Sequence, residues 1–263
     1  MSRLTIVLLA LVLSGHSVDA QWLDYPTKGL PRTADGKPNL SAPAPRTSDG
    51  KPDLSGIWHA LPDPRDPVEG TAGLQVPKYM LNILRDWKGE QPMTPWAKQL
   101  YDQRQANKLR DNPMIKCQPA GVPRLNHYTH PFKIVQTPDL MVVLYESQTT
   151  FRQIFTDGRP LPADPEPAWY GYSIGTWEGD ALVVHSAGFN DKTWLDGFGH
   201  PHSEAMKLTE RFVRKNVGTM DVEITIDDPK AYTQPLRYVQ THRLLADTEL
   251  LEYICNENAK PMQ

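Results

Sequence analysis

"MDVEITID", residues 220–227, alternates without a break: Met220, Val222, Ile224 and Ile226 fall on one side, Asp221, Glu223, Thr225 and Asp227 on the other. A period of two sends successive side chains to opposite faces of a strand, so the segment reads as a strand with one face buried and one wet. The same texture continues outward. "LTERFVRK" (208–215) precedes it across the turn signal "NVGT", and "LRYVQTHRLL" (236–245) follows. Upstream lie "FKIVQ" (132–136), "LMVVLYES" (140–147), "TFRQIF" (150–155), "WYGYSIGTW" (169–177) and "ALVVHSAG" (181–188); downstream lies "LLEYIC" (250–255). All are short, β-branched or aromatic, and bounded by turn residues. "SGIW" (55–58) reads as the first strand, and Glu178-Gly179-Asp180 as a tight hairpin. Nine or ten such strands without intervening helices predict an antiparallel sheet that closes into a barrel, or folds into a sandwich, to remove its edges. The expected fold is mainly β: an antiparallel barrel with an extended N-terminal arm and one or two helices.

The N-terminal part has a different grain. Residues 1–20 carry Arg3, the apolar run "LTIVLLALVL" and "VDA" ending at Ala20, the pattern of a secretory signal. The run is too short for a stable membrane span. The expectation is a secreted or periplasmic protein, in which Cys117 and Cys255 pair as one disulfide. Of 25 prolines, 21 precede residue 168, which disfavours regular structure there. "PRTADGKPNLSAP" from Pro31 and "PRTSDGKPDLSGIW" from Pro45 form a near-repeat with Asp-Gly turn signals. Residues 21–54 therefore read as a Pro-rich extended arm, and 55–116 as the first strand plus a helical segment. Thr94 before Pro95 is a helix start, Trp96, Leu100 and Tyr101 give a partial apolar stripe, and Asn112-Pro113 ends it. A shorter helix is expected in "VPKYMLNILRDW" (76–87). Residues 117–263 form the barrel domain.

Gly56-Ile57-Trp58 leading into a meander resembles the lipocalin-like (calycin-type) barrel. "FRQIFTDGRPLP" (151–162), "GYSIGTWEGDALVV" (171–184), "GFNDKTWLDGFGHPHSEAMKLTERF" (188–212), "ITIDDPKAYTQP" (224–235) and "LLEYICNEN" (250–258) together resemble an uncharacterised family of secreted bacterial proteins. The resemblance implies secretion and the domain limits; it implies no reaction.

The chemistry concentrates around "GHPHSE" (199–204). On an extended chain His200, His202 and Glu204 share a face, and a His-x-His pair suits a divalent metal, with Glu204, Glu210, His185 or His127 as a third ligand. Pro201 and the acid spacing argue for a loop instead, where His202 acts as an acid or base with His200, and Asp196 orients a ring by accepting its N–H. Glu210 shares the apolar face of "LTERF" with Leu208 and Phe212, and a carboxylate there needs a partner such as Arg152 or Arg237. Alternation places His185 with Val183 and Ala187, pointing inward. Arg152 and Arg159 are candidate anion clamps, Trp194 a stacking platform, and Asn190 a further polar contact. The proline run 160–167 reads as a stiff rim, a lid, or a plain surface loop.

Net charge is −3 with no basic block, which argues against nucleic acid as a partner. No Walker loop, Rossmann fingerprint, Gly-x-Ser-x-Gly elbow or Cys-x-x-Cys is present, which argues against nucleotide, α/β-hydrolase and thiol-redox chemistry. Three readings remain for a small-molecule partner. The first is an acid/base enzyme (hydrolase, lyase or isomerase) using His202, Glu210, His200 and Asp196 without a cofactor. The second is a secreted ligand-binding protein with no turnover. The third is a metal-dependent enzyme built on His200 and His202.

Overall fold

The structure is a computed structural model describing residues 25–62 and 76–255; the signal-like segment 1–20 lies outside them. Nine strands close into one barrel in sequential order. They are β1 (Gly56–Ala60), β2 (Phe132–Gln136), β3 (Leu140–Tyr145), β4 (Thr150–Phe155), β5 (Tyr172–Glu178), β6 (Ala181–Ala187), β7 (Lys207–Asn216), β8 (Thr219–Asp227) and β9 (Leu236–Leu244). β9 pairs back onto β1, Trp58 facing Leu244 and Ala60 facing His242, so the first strand completes the wall. The expected mainly-β barrel is therefore present.

One neighbouring pair departs from the expected antiparallel rule: β4 and β5 are parallel, meeting at Phe155 and Ile174. Parity requires it. Each antiparallel step reverses direction, so a ring of nine strands closes only if an odd number of steps does not. A parallel pair needs a crossover, not a hairpin. Residues 156–171, with Pro160, Pro162, Pro165 and Pro167, supply it along the outside of the wall. The proline run is thus the connection that allows nine strands to close.

The sequence pattern explains which side faces in. Met220, Val222, Ile224 and Ile226 of β8 are all buried, as their alternation predicts. The register builds interior rows across four strands: Leu182–Phe212–Val222–Gln240, then Val184–Glu210–Ile224–Tyr238, then Ser186–Leu208–Ile226–Leu236. "LLEYIC" is not a strand; Leu251, Tyr253 and Ile254 are exposed along a strap. The β1–β9 pairing has already taken the edge that such a strand would need.

The two barrel ends are closed differently. The arm seals one: Val217 and Gly218, in the β7–β8 turn, donate to the carbonyls of Ala42 and Leu40. The other end carries a lid. It includes α1, a single turn at Lys78–Leu81, and α2 (Pro95–Ala106), whose Thr94 cap accepts from Ala97 N–H. The 3₁₀ turn Arg124–His127 and the loop 189–206 complete it. α2 stops short of the expected Asn112-Pro113 boundary, with Lys108 and Leu109 in the left-handed region. Asn112 instead caps a separate 3₁₀ turn, Pro113–Lys116. Cys117 and Cys255 form a disulfide.

Candidate functional site

The lid end of the barrel interior holds a buried polar cluster. Glu210, in β7, is inaccessible and each carboxylate oxygen has its own donor: Arg152 Nη2 at 2.5 Å and Asn126 Nδ2 at 2.6 Å. Arg152, in β4, also donates to Ser173 at 3.1 Å and Ser186 at 2.8 Å. Burial works to lower the Arg152 pKa, but the Glu210 carboxylate and Tyr145 outweigh it and hold the guanidinium above its ordinary value. Tyr145 donates to Asn126 Oδ1 at 2.9 Å, and the Asn126 carbonyl accepts from His242 Nε2 at 2.8 Å. Three barrel strands thereby fix one 3₁₀ turn. The inward glutamate does find the arginine expected of it; Arg237 points outward, exposed.

The next residue of that turn, His127, is inaccessible and neither ring nitrogen has a hydrogen-bond partner. Burial, then the neighbouring His242, lowers its pKa to about 3, so the ring is neutral. It lies 5.1 Å from Tyr238 and 5.9 Å from Tyr79, whose rings are 4.2 Å apart (centroid distances). Tyr238 shares the interior row of Glu210, yet it retains accessible surface, and its hydroxyl is unpartnered.

The "GHPHSE" loop forms part of the lid. Its two histidines separate. His200 Nδ1 meets Asp196 Oδ2 at 2.5 Å, and Asp196 also accepts backbone N–H groups from Ile83, Phe198 and His200. That contact puts the proton on Nδ1 and leaves Nε2 unpartnered, beneath the stacked ring of Tyr101 at 4.7 Å. His202 has both nitrogens engaged, with Thr193 Oγ1 at 2.6 Å and the Ser203 carbonyl at 3.2 Å. Burial lowers its pKa. Asp228 anchors the loop through Ser203 N–H and Oγ, and Tyr232 donates to the Pro201 carbonyl.

Several expected arrangements are corrected by this geometry. His200, His202 and Glu204 do not converge: Glu204 is exposed while both histidines are buried, because Pro201 sits in a loop and not in a strand. Among the described residues no three His, Cys, Asp or Glu side chains could hold a metal ion. His202 and Glu210 share no hydrogen bond; their partners lie in different elements. His185 faces outward, exposed, 3.2 Å from Thr209 Oγ1, because Leu182, Val184 and Ser186 take the inner face of β6. Trp194 offers no open platform. It is buried, with the guanidinium groups of Arg104 and Arg124 at 4.8 and 5.9 Å. Arg159 is a surface residue held by Asp157 and Tyr172. Asn190 accepts from Lys192 N–H within its own turn.

Tyr79, Asn126, Tyr145, Tyr238 and His242 escape the sequence reading, which takes His127 only as a third metal ligand. One signal was available: alternation in "LRYVQTHRLL" puts Tyr238, Gln240 and His242 on the face of Leu236, an inward face too polar for packing alone.

No family model and no curated protein matches the chain. A solved structure of a mutant of the fluorescent protein UnaG is similar over 44% of this chain and 72% of its own, at 17% identity and a TM-score of 0.29. At that level the likeness supports no statement about site or function.

Proposed function

We propose that the protein is a non-catalytic binder of a small, uncharged, ring-bearing molecule, held at the lid end of the barrel against Tyr79, His127 and Tyr238. One observation carries the reading: Tyr238 faces inward with a buried, unpartnered hydroxyl, beside a neutral histidine with two unpartnered nitrogens. Buried polar atoms are normally satisfied, so unpartnered ones grouped together point to a guest or ordered water. Arg152 and Glu210 neutralise each other, which favours an uncharged guest. The disulfide supports the secreted or periplasmic setting. Native mass spectrometry after exposure to a metabolite extract tests this. The expected result is one retained small molecule, lost in Tyr238→Phe and His127→Phe. Retention unaffected by both variants would sink the proposal.

The acid/base-enzyme reading rests on a different observation, the Asp196–His200 pair with its free Nε2. Ile83 donates its N–H to Asp196, and Gly197 donates to the Met80 carbonyl, so the pair stands beside the segment that carries Tyr79. A histidine oriented by a carboxylate is equipped to take a proton. The retained molecule discriminates. If it is recovered unchanged, the protein is a binder. If it is converted, and His200→Gln stops conversion without stopping retention, the protein is an enzyme.

A further inference from the structure

A cavity lies outside the barrel wall, beside the disulfide, with a volume of about 260 Å³. Three sets of groups meet there. The first is a run of rings: Tyr128 stacks on His130 at 5.3 Å and 21°, and Tyr253 follows His130 at 5.0 Å. The second is apolar, from Met114 and Ile115. The third is polar and unsatisfied. Ser147 is 2% exposed and its hydroxyl has no partner. Gln148 donates its amide to the Gln118 carbonyl at 2.7 Å, leaving Oε1 unpartnered. His130 Nδ1 is also unpartnered.

The chain adopts unfavourable backbone to build this place. Cys117, Gln148 and Thr149 have φ of 55°, 62° and 48°, a region that costs a non-glycine residue free energy, most of all a β-branched one. The strap that contributes Tyr253 has no strand partner. It is held by Cys255 in the disulfide and by Thr149, whose hydroxyl donates to the Tyr253 carbonyl at 3.0 Å. Its apolar side chains remain exposed, so core burial does not account for the strap's position.

We infer that this cavity is a second binding site, for an uncharged one- or two-ring aromatic molecule bearing an N–H or O–H donor, of the indole or phenol class. No Asp, Glu, Lys or Arg lines it, which disfavours an ion. Its volume falls below the roughly 300–1,000 Å³ of pockets for drug-sized ligands, which limits the guest to a ring or two. The rings and Met114 suit a flat aromatic face. Gln148 Oε1 is an acceptor without a donor, and the Ser147 hydroxyl accepts or donates. The inference does not rest on the barrel-end reading, since the two sites share no lining residue.

The test is indole and phenol titrated into the full chain carrying ¹³C-methyl labels at methionine and isoleucine, with cyclohexanol and benzoate as controls. Saturable shifts at Met114 and Ile115 are expected with indole and phenol only. Ser147→Ala removes a buried hydroxyl that has no partner, so the urea midpoint should not fall, while affinity for indole weakens by about tenfold. Tyr253→Ala should abolish the response, and Tyr238→Phe should leave it intact. The inference is overturned by an absence of saturable shifts, by an equal response to cyclohexanol or benzoate, or by full affinity in Ser147→Ala.

Discussion

Glu210 sits on the apolar face of β7 with one carboxylate oxygen on Arg152 and the other on Asn126. Removing one member of a buried ion pair strands the other, so Glu210→Ala should lose about 3–5 kcal/mol in urea unfolding. Replacing both residues with methionine should recover most of that, because the stranded charge goes as well. A double variant no more stable than Glu210→Ala would refute this account. A second expectation concerns pH. Burial lowers His127 to about 3 and His242 to about 4, whereas unfolded histidine titrates near 6.5. The unfolded chain therefore binds more protons than the folded one between these values. The stabilisation is complete above about pH 6.5 and is lost as pH falls toward the folded pKa values, a few kcal/mol by about pH 4.5. Urea midpoints at both ends of that window, in the natural chain and in His127→Phe/His242→Gln, measure it; an unchanged pH slope in the variant would place the acid lability elsewhere. Alternation made the inward side chain of Glu210 legible, and with it the need for an arginine such as Arg152 or Arg237. Only the structure chose Arg152, because β4 and β7 are not neighbours and meet only across the barrel interior.

The arm shows what a repeated sequence element does in three dimensions. In each copy an arginine turns back to a glycine carbonyl, Arg32 to Gly36 and Arg46 to Gly50, and a threonine hydroxyl bonds the aspartate two residues on. Each arginine then grips a barrel-end aspartate with both terminal nitrogens: Arg32 takes Asp247, and Arg46 takes Asp180 in the β5–β6 turn. The repeat is a pair of clasps. Arg46→Ala should raise amide exchange around Gly50 and Asp53 without shifting global unfolding, since exposed pairs contribute little. The closer anchor is Gly218, where an added Cβ would stand 2.5 Å from Leu40 Cβ and 2.9 Å from its carbonyl oxygen. Gly218→Ala should cost about 1–3 kcal/mol and loosen the arm before the barrel, visible as early proteolysis within residues 25–54. Equal protease resistance would show that the arm does not depend on this contact. Turn chemistry made the Asp-Gly turns readable, but the aspartates that receive the arginines are 134 and 215 residues away. No local pattern reports such a distance.

At the scale of the whole molecule, closure and stapling decide the outcome. The disulfide spans 138 residues, and the chain-entropy argument allows up to about 5 kcal/mol for a loop of that length, with about 2–4 the usual yield. Replacing both cysteines by serine should lower the urea midpoint accordingly, and a loss confined to the strap would show that the link secures only a local segment. The sequence by itself determined the segments that become the nine strands, the inward and outward faces of β7 and β8, the helix start at Thr94 and the cysteine pair. Each of these follows from side-chain periodicity, from capping chemistry, or from there being two cysteines to join. Only the tertiary structure decided that "LLEYIC" adds no tenth strand, that β4 and β5 run parallel, and that the proline run is their crossover. These depend on closure, which is a property of the ring and of no single strand. Only the tertiary structure separated the roles of the two lid histidines and gathered Tyr79, His127 and Tyr238 over the Arg152–Glu210 pair. The reason is geometric: a period of two states which way a side chain points, while what it meets depends on strands brought together across the barrel.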